Sequence, residues 1–155
     1  MKPLVPSTLV LSSCEIELHY KRPFFDSMYA ICNPEDTDTV LRMFVNSKQL
    51  DLREHFWVIL MTNANRIVGI SEVASGTTLG VQTNMKYIFQ LILKTNAVNV
   101  ILAHSHPGGN LNASARDIKE TKKFLRLAKL MDVTLLDHII ITSESFSSFA
   151  TEGLL

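Results

Sequence analysis

The run Val98-Asn99-Val100-Ile101-Leu102-Ala103-His104-Ser105-His106-Pro107-Gly108-Gly109-Asn110-Leu111-Asn112-Ala113-Ser114-Ala115-Arg116-Asp117 joins an apolar strand to the start of a helix through one sharp turn. Val98 to Ala103 reads as a buried strand that feeds directly into His104. Pro107 ends the strand, and Gly108 and Gly109 let the chain turn back. Ser114 then opens a long helix to about Met131, with Asp117 three residues on, the spacing of a capping box. Val133 to Thr142, rich in Val, Leu and Ile, is a further strand.

Working upstream, Met85 to Thr95 carries Ile88, Phe89, Leu91 and Ile92 at helical spacing. Phe56 to Met61 is a continuous apolar run, Thr62 to Asn65 a turn, and Ile67 to Ile70 a second run, together a hairpin of buried strands. Ser75-Gly76-Thr77 marks a loop. Thr8 to Tyr20 alternates in part and suggests a strand, broken by Lys21-Arg22-Pro23. From Phe24 to Leu52 the pattern is loosely helical, interrupted at Pro34. Asp36 to Asp38 are N-cap candidates for a helix bearing Val40, Leu41, Phe44 and Val45. The expectation is an α/β fold, a mixed β-sheet sandwiched by helices. Residues 1–50 form an N-terminal extension, strand plus helix, packed on a core domain of residues 51–155.

Chain length suits one domain with one sizeable core, and 46% hydrophobic against 19% charged residues is ordinary globular composition. No apolar run approaches the ~20 residues of a membrane span. Met1 to Thr8 does not read as a signal peptide. Cys14 and Cys32 stand outside any C-x-x-C spacing and read as reduced packing residues, which makes the cytoplasm the expected compartment. Fifteen basic residues balance fifteen acidic ones, so the global charge that drives non-specific DNA binding is missing. Lys119, Lys122, Lys123, Arg126 and Lys129 nevertheless share one helix face. That face is either a solvated surface or a local phosphate-facing patch.

His104 and His106 are two apart on a strand end and so project to the same side, where two imidazoles can hold one zinc ion at about 2.0–2.1 Å each. Asp117, at the start of the following helix, is placed to be the third ligand. A His₂-carboxylate set leaves a fourth position open to water, the mark of a catalytic rather than a structural zinc site. The plainer alternative makes the histidines loop residues and Asp117 a helix cap. Strand, turn and helix start all standing in order favour the metal reading. Asp137 and His138 lie on alternate faces of the last strand, so only one could face a metal; a structural or supporting role fits them. His19 and His55 show no partner pattern.

With these residues in hand, the chain resembles the JAMM (MPN+) metalloprotease family, whose motif is H-x-H-P followed by a Ser and an Asp three residues later. It is similar above all to the RadC-like group. His104, His106, Pro107, Gly109, Ser114 and Asp117 fall at the matching spacing, and Leu136-Asp137-His138-Ile139-Ile140 matches a later L-D-H strand. Glu54-His55-Phe56, Ser75-Gly76-Thr77 and Ala103 also match, so the likeness covers about residues 50 to 155. Ser105 stands where Asn is common, Leu111 and Ala113 replace prolines, and Asn84-Met85-Lys86 replaces a Pro-Arg-Glu stretch. The helical DNA-binding module that precedes this domain in longer members is not legible in residues 1–50.

The resemblance implies a JAMM/MPN-like (cytidine-deaminase-like) architecture and zinc-dependent hydrolysis of a peptide or isopeptide amide in a peptide or protein substrate. It implies that Glu54 is the general base and that Ser114 donates to the oxyanion. The rival expectation is a DNA-repair-associated accessory protein that binds nucleic acid through the basic helix. No membrane is expected as a partner.

Overall fold

The computed structural model describes residues 20–76 and 83–155. The strand expected over Thr8 to Tyr20 therefore lies almost wholly outside the described residues, as does Cys14; Cys32 is exposed and unbonded. Helix α1 (Pro34–Phe44) is followed by strands β1 (His55–Met61) and β2 (Ile67–Ser75), helix α2 (Met85–Thr95), strand β3 (Asn99–Ser105), helix α3 (Ala115–Leu130), and strands β4 (Thr134–Ile141) and β5 (Phe146–Ser148). The strands form one sheet in the order β2-β1-β3-β4-β5. Only the β3–β4 pair is parallel; the other neighbours are antiparallel, so the sheet is mixed as expected.

Alternation along the central strands sorts their side chains onto two faces. Phe56, Val58 and Leu60 of β1 and Val100 and Leu102 of β3 pack with Ile88 and Ile92 of α2 and Phe124 and Ala128 of α3. Trp57, Ile59, Met61, Ile101 and Ala103 face the other way, with Ile139 and Ile141 of β4, Leu41 of α1, Ile31 and Leu50. Because helices cover both faces, β1 and β3 are buried throughout and appear in the sequence as unbroken apolar runs.

Two expectations in the N-terminal part are corrected. Pro34 does not interrupt a helix; it occupies the first turn of α1, where its fixed φ suits the helix and its missing N–H leaves no bond unmade. The N-cap is Asn33, whose side-chain oxygen accepts from the Asp36 amide at 2.8 Å, rather than any of Asp36 to Asp38. Strand β2 runs on to Ser75, past the expected Ile70, and the short edge strand β5 was not anticipated. On α3, Lys119, Lys122, Lys123, Arg126 and Lys129 are all exposed, while Thr121, Phe124 and Ala128 are buried. None of the helices among the described residues is long and apolar enough to cross a membrane.

Candidate metal centre

β3 carries His104 on the face covered by α2 and α3, and its ring lies nearly parallel to that of Phe56, with centroids 6.0 Å apart. His106 stands just past the strand, its amide donating to the Ile141 carbonyl at 3.0 Å and so prolonging the pairing with β4. The turn closes when the Gly109 amide donates to the His106 carbonyl. Gly109 has φ +75°, which a side chain would strain, so of the two glycines this is the one the turn requires. Asp117 comes back to the strand end through the expected capping box. Ser114 Oγ accepts from the Asp117 amide at 3.1 Å, and Asp117 Oδ2 accepts from the Ser114 amide at 2.8 Å.

These elements bring His104 Nε2 and His106 Nε2 to 3.0 Å from each other. Asp117 Oδ1 is 3.4 Å from the first and Oδ2 3.5 Å from the second. Two atoms bound tetrahedrally to one zinc ion at 2.0–2.1 Å stand about 3.3 Å apart. The three side chains each offer one ligand atom within 4.8 Å of the other two, a group able to hold a single ion.

Hydrogen bonds at the far side of each ring decide what faces the centre. His106 Nδ1 is 2.6 Å from the Asn110 carbonyl, which can only accept, so the ring proton sits on Nδ1 and Nε2 is left with its lone pair. For His104 the same result comes through a longer chain. With its proton on the Asp117 carbonyl, 2.7 Å away, Thr121 Oγ1 accepts from His138 Nδ1 at 2.6 Å. His138 Nδ1 therefore carries the proton. Its Nε2 accepts from His104 Nδ1 at 2.8 Å, and His104 Nε2 is also bare. Burial, followed by the charge of His104, holds the His138 pKa well below that of free imidazole, so this ring stays neutral and keeps its roles in the chain.

Two bare imidazole nitrogens and a carboxylate at this separation repel one another until a proton or a metal ion sits among them. The basicity of the group reflects this. Once protonated, His106 donates Nε2–H to Asp117, and this bond raises its pKa despite partial burial, with smaller contributions from the Asn110 carbonyl and the charges of Asp117 and Glu54. For Asp117, burial alone would favour the neutral acid. Bonds from His104 and His106 in their protonated forms, the charge His104 then carries and the contact with Ser114 outweigh it, and the carboxyl is held far below the usual range.

A cavity of about 220 Å³ opens over the centre, lined by Glu54, Phe56, His104, His106, Ser114 and Asp117, among others. Glu54 directly precedes β1, and extending the Phe56–His104 register by two residues sets it opposite His106. Ser114 is exposed at the helix start, and its capping bond uses an oxygen lone pair, leaving the hydroxyl proton to donate elsewhere. The structure therefore gathers the sequence-predicted residues Glu54, His104, His106, Ser114 and Asp117 around one space. Asp137 points away. Its carboxylate accepts from Ser148 Oγ at 2.5 Å and the amides of His138 and Ala150, tying β4 to the C-terminal turn. Sequence reasoning missed Thr121, although it stands one helical turn after Asp117, the spacing that puts both on one face.

Residues 31–154 match the family described as the RadC-like JAB domain. The chain belongs to that family. Among its relatives are UPF0758 proteins of Flavobacterium johnsoniae, 32% identical over 80% of this chain and 53% of the relative, and of Clostridium kluyveri, 29% identical over 94% and 63%. A UPF0758 protein of Neisseria meningitidis serogroup C is 33% identical over 77% of this chain and 53% of its own length. The chain spans between half and two thirds of the length of these curated relatives. The family match begins upstream of α1, whose Leu41 shares a core cluster with β1, β3 and β4.

In this RadC-like JAB domain the proton chain behind His104 has a measurable consequence. Thr121→Val keeps the side-chain shape but removes the acceptor for His138 Nδ1–H. His138 is then free to reverse its tautomer and push the His104 proton onto Nε2, facing His106 and Asp117. Zinc affinity should fall by roughly 10- to 100-fold, as is usual when a group supporting a ligand is lost. A competition titration against a chelating dye measures it; unchanged affinity would refute the assigned proton chain.

Proposed function

We propose that this domain is a zinc-dependent hydrolase that cleaves a peptide or isopeptide amide, with His104, His106 and Asp117 holding the ion. The observation that carries the reading is the convergence of two imidazole nitrogens and one carboxylate beneath a cavity that also receives Glu54 and Ser114. Two nitrogens and a carboxylate suit zinc and leave a coordination position for water. When bound, the ion supplies a Lewis acid that brings the pKa of water down to about 7.

The chain's own residues account for the rest. Glu54, opposite His106, takes the proton from the attacking water and delivers it to the leaving amine nitrogen, whose expulsion requires it. Ser114 donates its free hydroxyl proton to the oxygen of the scissile carbonyl as negative charge develops there. Asp117 fixes the start of α3 through its capping bonds, so the same carboxylate that faces the ion also places Ser114. Phe56 walls the cavity beside His104 and limits water on that side.

Lys119, Lys122, Lys123, Arg126 and Lys129 are read as a solvated face. They sit on a chain of zero formal net charge, so no general attraction for a phosphate backbone supports them. The experiment for the hydrolase reading is cleavage of a fluorogenic peptide library by the zinc-loaded chain, before and after chelation. Cleavage should stop on chelation and return with added zinc. Cleavage indifferent to the chelator would contradict the reading.

A further inference from the structure

We propose that Ser105, between the two ligand histidines but on the opposite face of the strand end, is a positioning residue that clamps Glu54. Side chains alternate along β3, so the residue between His104 and His106 turns away from the metal face. Ser105 is wholly buried there, and its hydroxyl makes two bonds to the backbone flanking Glu54. The His55 amide donates to Ser105 Oγ at 2.9 Å, and Ser105 Oγ donates to the Arg53 carbonyl at 3.4 Å.

The clamp is completed from the other side. The Gly76 amide donates to the Glu54 carbonyl at 2.8 Å. His55 is itself held, its ring stacked on Trp57 with centroids 5.4 Å apart and its Nδ1 3.0 Å from Glu72. Glu54 lies outside β1 and lacks the strand's regular ladder, so these bonds are what hold its backbone at the cavity wall. A single hydroxyl thus couples the strand end that presents the histidines to the segment that presents the carboxylate. The distance between Glu54 and the metal centre is set by a side chain that touches neither. Displacements of about 1 Å in a reacting group cost up to ~100-fold in rate, so loosening this clamp belongs to the chemical step rather than to binding.

The inference rests on the catalytic reading of Glu54, and the test separates the two. Ser105→Ala is made in the full chain, alone and combined with Glu54→Gln. Three properties are measured: amide hydrogen exchange at His55 by NMR, bound zinc, and kcat and KM on the best-cleaved peptide of the library. Ser105→Ala should speed exchange at His55 and leave zinc stoichiometry unchanged. It should lower kcat by roughly 10- to 100-fold at constant KM. In the Glu54→Gln background it should add no further loss, since a clamp matters only through what it holds. Unchanged His55 exchange, loss of zinc, a change confined to KM, or full additivity with Glu54→Gln would each overturn the proposal. If Glu54→Gln alone cleaves like wild type, the underlying role of Glu54 fails, while His55 exchange still decides whether the clamp exists.

Discussion

Glu54→Gln should retain bound zinc and lose hydrolytic rate by roughly 10²- to 10⁴-fold, the usual worth of a positioned general base. Gln preserves the length, shape and hydrogen-bonding oxygen of the side chain but cannot carry a proton between water and the leaving nitrogen. The geometry makes the comparison specific. Glu54 lines the cavity with the ligand set but does not belong to the group whose atoms converge on one point. Its charge reaches His106 only as a minor contribution to that ring's basicity. Zinc content and cleavage rate, measured on the same preparation, separate the outcomes. Loss of zinc with Glu54 would make it a ligand, and an unchanged rate would remove it from the reaction.

Much of this was legible before any coordinates because the deciding signals are short-range. The alternation that puts His104 and His106 on one side, and the Ser114–Asp117 spacing that builds a capping box, are properties of a strand and a helix start. The apolar runs of β1 and β3 are unbroken because both faces of the sheet are covered, and their shortness and flanking turn residues mark them as strands. What escaped was decided by pairing across the fold. Nothing in Phe146-Ser147-Ser148 marks a strand; it becomes one by lying against Ile139 to Ile141. The supporting role of Thr121 depends on a hydrogen bond to His138, seventeen residues away, and the clamp on Glu54 depends on Ser105, fifty residues beyond the His55 amide that it holds. Pro34 was misread because a proline before an apolar helical pattern can end one helix or begin the next. Only the position of Asn33 as the cap decides between them.

The claim on which the rest stands is that His104, His106 and Asp117 share one metal ion, and zinc content across three proteins tests it most directly. Wild type should hold about one zinc per chain, with each side chain supplying one of three protein ligands. His106→Ala removes the ligand Nε2 of a ring whose other nitrogen, Nδ1, bonds a loop carbonyl, so it should lose most of the metal with little effect on the fold. Asp117→Ala removes both a ligand and half of the capping box. It should lose the metal and also lower stability by about 0.3–1 kcal/mol, the worth of an acidic side chain in the first turn of a helix, read as a drop in Tm of the metal-free chain. Metal analysis of the purified proteins after dialysis against limiting zinc gives the answer. The account predicts stoichiometric zinc in wild type and near-absence in both variants; equal zinc in all three would contradict it.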